Sequence, residues 1–532
     1  MNKTKQSQGE TFAESTRPLI LTWVVIVISS CAVFFGNLRF GKSVLGVAYE
    51  DDFFYYAQAA HNLALHGRSS FDGIHLTNGY HPLWLLVLTA VTKIFGGEGM
   101  FHSATVFPFA IALEVVQLAI VIWISYFALR VCRLYCNVAM SGCIQLMITS
   151  FALLFVRGGM EVGLTLGFAF TILWFRLPPR FRWTAGTSFV YGLLASLMVL
   201  SRLDSVILVG LLFVFDLAPN AGRRRERVVN GLCFGAGMLP VLFYALVNEE
   251  VFQTVMPISG MAKQLRFHHI PSLHALHSFL PYLIHPASIL LGPCVLATAG
   301  ALVLLGMRRL YAAPGTEGVF WATLLFPIVY LFATVTLSDW MLWQWYLYGW
   351  LISGFLAAVL FVSQRREKSK VTTGADWLGF ALALVFFVGY VVSTIAAVKP
   401  KNNFIYLTAV DISEFADQHP GVYAMGDRAG SVGYLMPYPV VQLEGLMMDK
   451  PYLDNIRLQR NLFDVLRQYN VRYYVSTWDT PDGQGCYSMK EPSKVGPDSP
   501  VMQGRICQEP VAVFSHGPFV SRIFELHGAV ER

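Results

Sequence analysis

Apolar residues in this chain gather in long runs instead of alternating with polar ones. Eleven runs stand out, at 19–36, 104–129, 138–156, 160–176, 184–201, 205–219, 228–247, 286–306, 317–337, 343–363 and 375–397. Several are near the ~17-residue lower limit for a helix that crosses a hydrocarbon layer. A twelfth run, Pro82–Phe95, is shorter and carries Lys93. From 399 onward the pattern changes to short mixed runs, with strand-like segments at 422–425, 440–446, 472–478, 511–515 and 522–526. Residues 454–469 carry Ile456, Leu458, Leu462, Phe463 and Leu466 at helical spacing. The pattern predicts a polytopic α-helical membrane module over 1–398, with about eleven transmembrane helices, followed by a small α/β domain over 399–532.

Composition fits that class: 55% of the 532 residues are hydrophobic and only 14% are charged, too few polar side chains to coat a soluble domain of this size. The net charge of +6 is spread in short clusters between the apolar runs, which is a topology signal and not a nucleic-acid patch. The clusters are Lys3, Lys5 and Arg17; Arg130 and Arg133; Arg176, Arg180 and Arg182; Arg223, Arg224, Arg225 and Arg227; Arg308 and Arg309; and Arg365, Arg366, Lys368 and Lys370. All of them face the cytoplasm only if Pro82–Phe95 does not cross the membrane. That run therefore reads as an interfacial or re-entrant helix of a first outer loop, 37–103. The N-terminus is then cytoplasmic, the C-terminal domain is extracytoplasmic, and the first apolar run, which no cleavage site follows, is an anchor.

With this topology the unusual ionisable residues fall on the outer side: Glu50-Asp51-Asp52, Arg157, Glu161, Arg202, Asp204, Lys263 and Asp339. Ionisable groups at membrane depth are costly and mark sites. Each has a plain and a chemical reading. Asp51 and Asp52 form either a solvated loop end, a general base for an acceptor hydroxyl, or a ligand pair for a divalent cation such as Mg, Mn or Ca. Arg202 and Asp204 form either an ion pair pinning two helix ends or a phosphate clamp. Lys263 is a snorkelling anchor or a phosphate contact, and Glu161 a helix cap or a positioning residue. Trp340, Trp343 and Trp345 read as an interfacial belt or a sugar platform. Five histidines at 268, 269, 274, 277 and 285 lack the regular offsets of a zinc site. Cys486 and Cys507, in the C-terminal domain, read as a disulfide.

Several segments together resemble a known family. EDDFFYYAQAAHNLALHG followed by TNGYHPLW is similar to the acidic first outer loop of bacterial GT-C-fold glycosyltransferases, in particular the arabinofuranosyltransferase and protein-mannosyltransferase relatives. GMEVGL, SRLDSV, MPISGMAKQL and GDRAGSVGYLMPYPVVQLEGLMMD resemble further family segments in the same order. The resemblance implies an inverting transferase with a polyprenyl-phosphate-linked sugar donor and an extracytoplasmic glycan, glycolipid or protein acceptor. It places Asp51 or Asp52 at the catalytic centre and Arg202 and Lys263 near the donor phosphate, with His81, Glu161, Asp204 and Trp340 positioning substrate. His81, Leu203 and Ile258-Ser259 depart from the family pattern. A transporter or flippase for a lipid-linked sugar would share the apolar groove and cations but would not need the carboxylate base.

Overall fold

The computed structural model describes residues 2–96, 106–220, 222–284, 291–310, 312, 314–364, 372–399, 403–482 and 485–526. His285 and the basic cluster at 365–370 lie outside these residues.

Helices occupy every apolar run. Among the described residues seven are long and apolar enough to cross a membrane: Pro18–Gly41, Val106–Tyr135, Val138–Val156, Leu203–Asn220, Glu317–Leu337, Gln344–Gln364 and Gly374–Ala397. The chain is thus a multi-pass helical membrane protein. The run at 228–247 is not one straight helix. Arg224–Gly237 and Leu239–Phe252 meet at a bend of 47°, with Pro240 in the first turn of the second helix; counted as one span, the pair makes eight. Val162–Arg176, Ala185–Ser201 and Leu291–Gly306 are helices of 15 to 17 residues. At 1.5 Å per residue they are only about 22–26 Å long, short of a ~30 Å hydrocarbon core. The first two are nonetheless tied to neighbours by ion pairs at the two ends of the bundle. Arg202, after Ala185–Ser201, pairs with Glu161, before Val162–Arg176. At the far end, Arg176 pairs with Asp216 of Leu203–Asn220.

Arg130 and Arg176, from two of the basic clusters, lie at that far end. Arg130 lies over Trp174, Arg176 donates to the Gly315 carbonyl, and Asn137 donates to Asp376 at 2.9 Å. The acidic loop, Glu161, Arg202 and Lys263 lie at the other end. Pro82–Phe95 is a separate helix that packs on Asp51–His66.

At the end of the last span, Asn403 reaches back to the Gly46 carbonyl, and helix Phe404–Gln418 begins the C-terminal region. A five-stranded sheet follows, built from β1 (Tyr423–Met425), β2 (Val440–Gln442), β3 (Tyr473–Ser476), β7 (Ala512–His516) and β8 (Phe519–Glu525), in the order β2-β1-β3-β8-β7. The β1 strand pairs parallel to β2 and β3; β8 runs antiparallel to β3 and β7. A second, antiparallel sheet joins β4 (Asp479–Pro481), β5 (Tyr487–Glu491) and β6 (Met502–Ile506). Cys486 and Cys507 form a disulfide at its open end. The helix expected over 454–469 is two helices, Lys450–Arg457 and Leu462–Gln468. Gln459 adopts a left-handed conformation (φ 50°) and ends the first. Asn461 caps the second, accepting from the backbone of Phe463 and Asp464.

Candidate active site

Asp51 and Asp52 open helix Asp51–His66, and one residue of helical rotation sends them to different neighbours. Asp51 turns toward the C-terminal domain. Its Oδ1 accepts from the Ser431 backbone (2.8 Å) and hydroxyl (2.7 Å), and its Oδ2 from the Gly430 backbone (3.2 Å). The fit is close: a Cβ on Gly430 would lie 2.3 Å from the Asp51 carbonyl oxygen. Asp51 therefore docks helix Ala429–Leu435 onto the membrane module. Burial pushes its carboxyl upward, and the Ser431 bonds oppose the shift.

Asp52 keeps its carboxylate toward a cavity of about 300 Å³. Burial, then the neighbouring Asp51 charge, raise its pKa to about 7, against the pull of Lys263 and Lys494. The cavity takes Glu50, Asp51, Asp52 and Lys263 from the membrane module and Asp427, Arg428, Glu444 and Lys494 from the C-terminal domain.

A second cavity, of about 440 Å³, lies beside it and shares Lys263, Trp340, Met341 and Tyr346. Its other walls are largely apolar and come from membrane helices, with Val206, Ile207, Ala333 and Leu337 among them. Lys263 thus stands where a membrane-side groove meets a polar chamber. Its Nζ donates to the Tyr346 hydroxyl at 2.8 Å, and among the described residues no carboxylate lies within ion-pair distance of it. Burial works against its charge, but Tyr346 and Asp52 hold its pKa above the usual lysine value.

Arg202 is committed elsewhere. It is buried, donates to Glu161 through Nη1, and reaches Asp204 through Nε (3.0 Å) and Nη2 (2.9 Å). Asp204 also accepts from Tyr330 (2.8 Å) and Tyr348 (3.0 Å). One guanidinium between two carboxylates is a poor phosphate clamp, so the geometry favours the ion-pair reading of Arg202 and Asp204. Among the described residues Glu161 Oε2 has no hydrogen-bond partner. The His81 Nδ1 accepts from the Leu203 backbone at 3.2 Å, which puts its proton on Nε2, 3.7 Å from Glu161. Burial lowers the His81 pKa, favouring the neutral ring.

The TNG turn is a brace. Asn78 accepts from the Ile258 backbone (2.9 Å) and donates to Thr254 (3.2 Å), locking the loop that carries Lys263. Trp340 is buried, and its backbone pairs with Val495 of the C-terminal domain. Trp343 stacks on Trp345 (5.7 Å between centroids), and the Lys494 ammonium lies 5.1 Å from the Trp343 ring. Trp340 lines both cavities and Trp343 the polar one.

A divalent cation at Asp51 and Asp52 does not fit this donor set. Both Asp51 oxygens are engaged with Gly430 and Ser431, and among the described residues no three His, Cys, Asp or Glu side chains gather as a metal site. The histidines at 268, 269, 274 and 277 form no such group either.

Asp427, Glu444 and Lys494 had no role in the sequence reading, although the first two lie in GDRAGSVGYLMPYPVVQLEGLMMD. Their signal was two acids in a segment rich in glycine and apolar residues. Lys494 had none.

No family model matches the chain, and no match was found among curated proteins. Solved structures do match. The oligosaccharyltransferase of Archaeoglobus fulgidus in its apo form aligns with a TM-score of 0.51 at 12% identity, over 88% of this chain and 70% of that one. The same enzyme tethered to an acceptor peptide containing the NVT sequon aligns with a TM-score of 0.50 at 11% identity, over the same shares. The likeness is one of fold. It agrees with the GT-C-like architecture and not with an arabinofuranosyl or mannosyl type in particular.

Proposed function

We propose that the protein is an inverting glycosyltransferase of the bacterial cytoplasmic membrane. It would move a pentose or hexose from a polyprenyl-phosphate donor to an extracytoplasmic glycan, glycolipid or protein acceptor. In this reading all eleven apolar runs cross the membrane, and residues 399–532 form an extracytoplasmic domain over the site. The observation that carries the proposal is the meeting of two cavities at Lys263: an apolar one among membrane helices, suited to a lipid chain, and a polar one holding Asp52, suited to an acceptor hydroxyl.

Asp52 takes the acceptor proton as the hydroxyl attacks the anomeric carbon; a carboxylate poised near 7 is matched to that task. Lys263 stabilises the charge that builds on the departing phosphate. His81, Arg202 and Asp204 line the apolar cavity, with Glu161 paired to Arg202, and Asp51 sets the docking of the C-terminal domain.

The test is release of polyprenyl phosphate by purified protein from a panel of radiolabelled polyprenyl-phosphate sugars, with wild type, Asp52→Asn and Lys263→Ala, with and without EDTA. Release from one donor, lost in both variants and indifferent to EDTA, is the expected result. Donor binding without release in every lane would favour a carrier and overturn the transferase.

A further inference from the structure

With Arg202 engaged by two carboxylates, Lys263 is the only lysine or arginine the membrane module brings to the polar chamber among the described residues. The donor's phosphodiester becomes a monoester and gains a negative charge as its sugar departs, and a second cation would strengthen the hold on it. The C-terminal domain brings two, Arg428 and Lys494; Arg428 already donates to Asp427 and to the Thr477 carbonyl and lies over the Phe519 ring. Lys494 lines the same chamber, with its Nζ 2.6 Å from Asp427 and over the Trp343 ring.

The segment that carries Lys494 is fixed to the membrane module on its C-terminal side. Val495 pairs with Trp340. The Gly496 backbone donates to the Asp339 carbonyl (3.0 Å), and the Asp498 backbone donates to the Asp339 carboxylate (3.1 Å). Ser272 donates to the same carboxylate, and Arg266 pairs with Asp498 at 2.8 Å. A Cβ on Gly496 would lie 2.2 Å from an Asp339 oxygen, so this contact admits no other residue unshifted. So many ties around one lysine exceed what a surface loop needs, and they fix its backbone beside the chamber.

We propose that Lys494 is a catalytic residue contributed by the C-terminal domain: together with Lys263 it binds the phosphate of the amphiphilic donor. The inference rests on the transferase reading above and deepens it. Asp427 is the counter-ion that holds Lys494 until the phosphate arrives. Asp339 is a positioning residue, acting through residues 495–498.

The probe is undecaprenyl phosphate, with undecaprenol as the uncharged control, titrated against the full-length protein in detergent. The preference of wild type for the phosphate over the alcohol is the quantity read. Lys494→Met is expected to cut that preference at least tenfold, as Lys263→Met does, with undecaprenol binding unchanged. Lys494→Arg is expected to keep most of it, and Asp427→Asn to leave it intact or raise it. Thermal unfolding of each variant reports whether it folds. A Lys494→Met protein that folds and keeps its phosphate preference within twofold overturns the role of Lys494 alone. Equal losses in Lys494→Met and Asp427→Asn would show that the pair only holds the C-terminal domain's own fold together, and would also overturn it. A wild-type protein with no preference for the phosphate overturns the donor reading itself, a result separate from either of these.

Discussion

The two ends of the helical bundle each bury an arginine against a carboxylate, and they do it differently. At the end where Arg130 lies, Arg176 meets Asp216 in a fork, with Nε and Nη2 at 2.8 and 2.7 Å. Arg176 also donates to the Gly315 carbonyl and packs against Phe181 and Trp183, while Tyr191 donates to Asp216. One charge meets one charge and their polar atoms are used. At the other end Arg202 is shared by Glu161 and Asp204, one Glu161 oxygen is left over, and an open cavity lies alongside. The first arrangement is what stability requires. The second holds an excess of buried acid that stability does not ask for, and such an excess marks a site that works on something else.

The sharpest way to break this comparison is to remove one acid from each end. Asp216→Ala strands a buried guanidinium, and loss of one partner of a buried pair costs about 3–5 kcal/mol, a large part of the ~5–15 kcal/mol that holds a typical domain. A strong fall in the unfolding midpoint is expected, with turnover per folded molecule preserved. Glu161→Gln removes the surplus charge and leaves Arg202 its Asp204 partner. Its midpoint is expected to change little while turnover falls. Equal destabilisation by the two substitutions would show that both ends are structural.

Next in size is Asp52→Asn. Loss of a general base lowers rates by about 10²–10⁴-fold, and the side chain already faces a cavity, so the fold should hold. A turnover within tenfold of wild type would remove Asp52 from the chemistry. A smaller effect follows from its raised pKa. The base works only when deprotonated, so transfer should rise with pH up to about 7 and level off above it. Stability should move the other way. The folded chain holds a proton on Asp52 that the unfolded chain releases at lower pH, so stability falls as pH rises from the ordinary carboxylate range toward 7. A pH–rate profile beside a pH–midpoint profile checks both signs.

How much of this was legible in the sequence depends on the range of the forces involved. Helices follow from local hydrophobicity, and each apolar run is helical, the run at 228–247 in two pieces. The break at Gln459 and the bend beside Pro240 are also local, but period counting passed over both. The strands β4, β5 and β6 were missed because their pattern is weak and a disulfide closes the open end of their sheet. At the site, the charged residues of the helical module were readable because charge in an apolar chain is conspicuous, whereas Asp427, Glu444 and Lys494 lie in a domain of mixed composition and were not. Nor were the partners of the readable residues. Nothing in SRLDSV tells whether Arg202 faces a ligand or Glu161, 41 residues away. Nothing in EDDFF tells that Asp51 meets Ser431, 380 residues away.

Asp51→Asn sets the lower bound of the comparison. The amide oxygen can still accept from Ser431, so most of the dock survives. What disappears is a charge that raises the pKa of Asp52. The net worth of one hydrogen bond, about 0.5–1.5 kcal/mol, limits the damage to docking. The lost repulsion makes Asp52 easier to deprotonate, which shifts the rising limb of the pH–rate profile to lower pH. Turnover near pH 7 is therefore expected to stay within about tenfold of wild type, with a lower midpoint for that limb. If Asp51→Asn were instead as inactive as Asp52→Asn while still folded, the division between a docking acid and a reacting acid would fail, and the two carboxylates would have to act on substrate together.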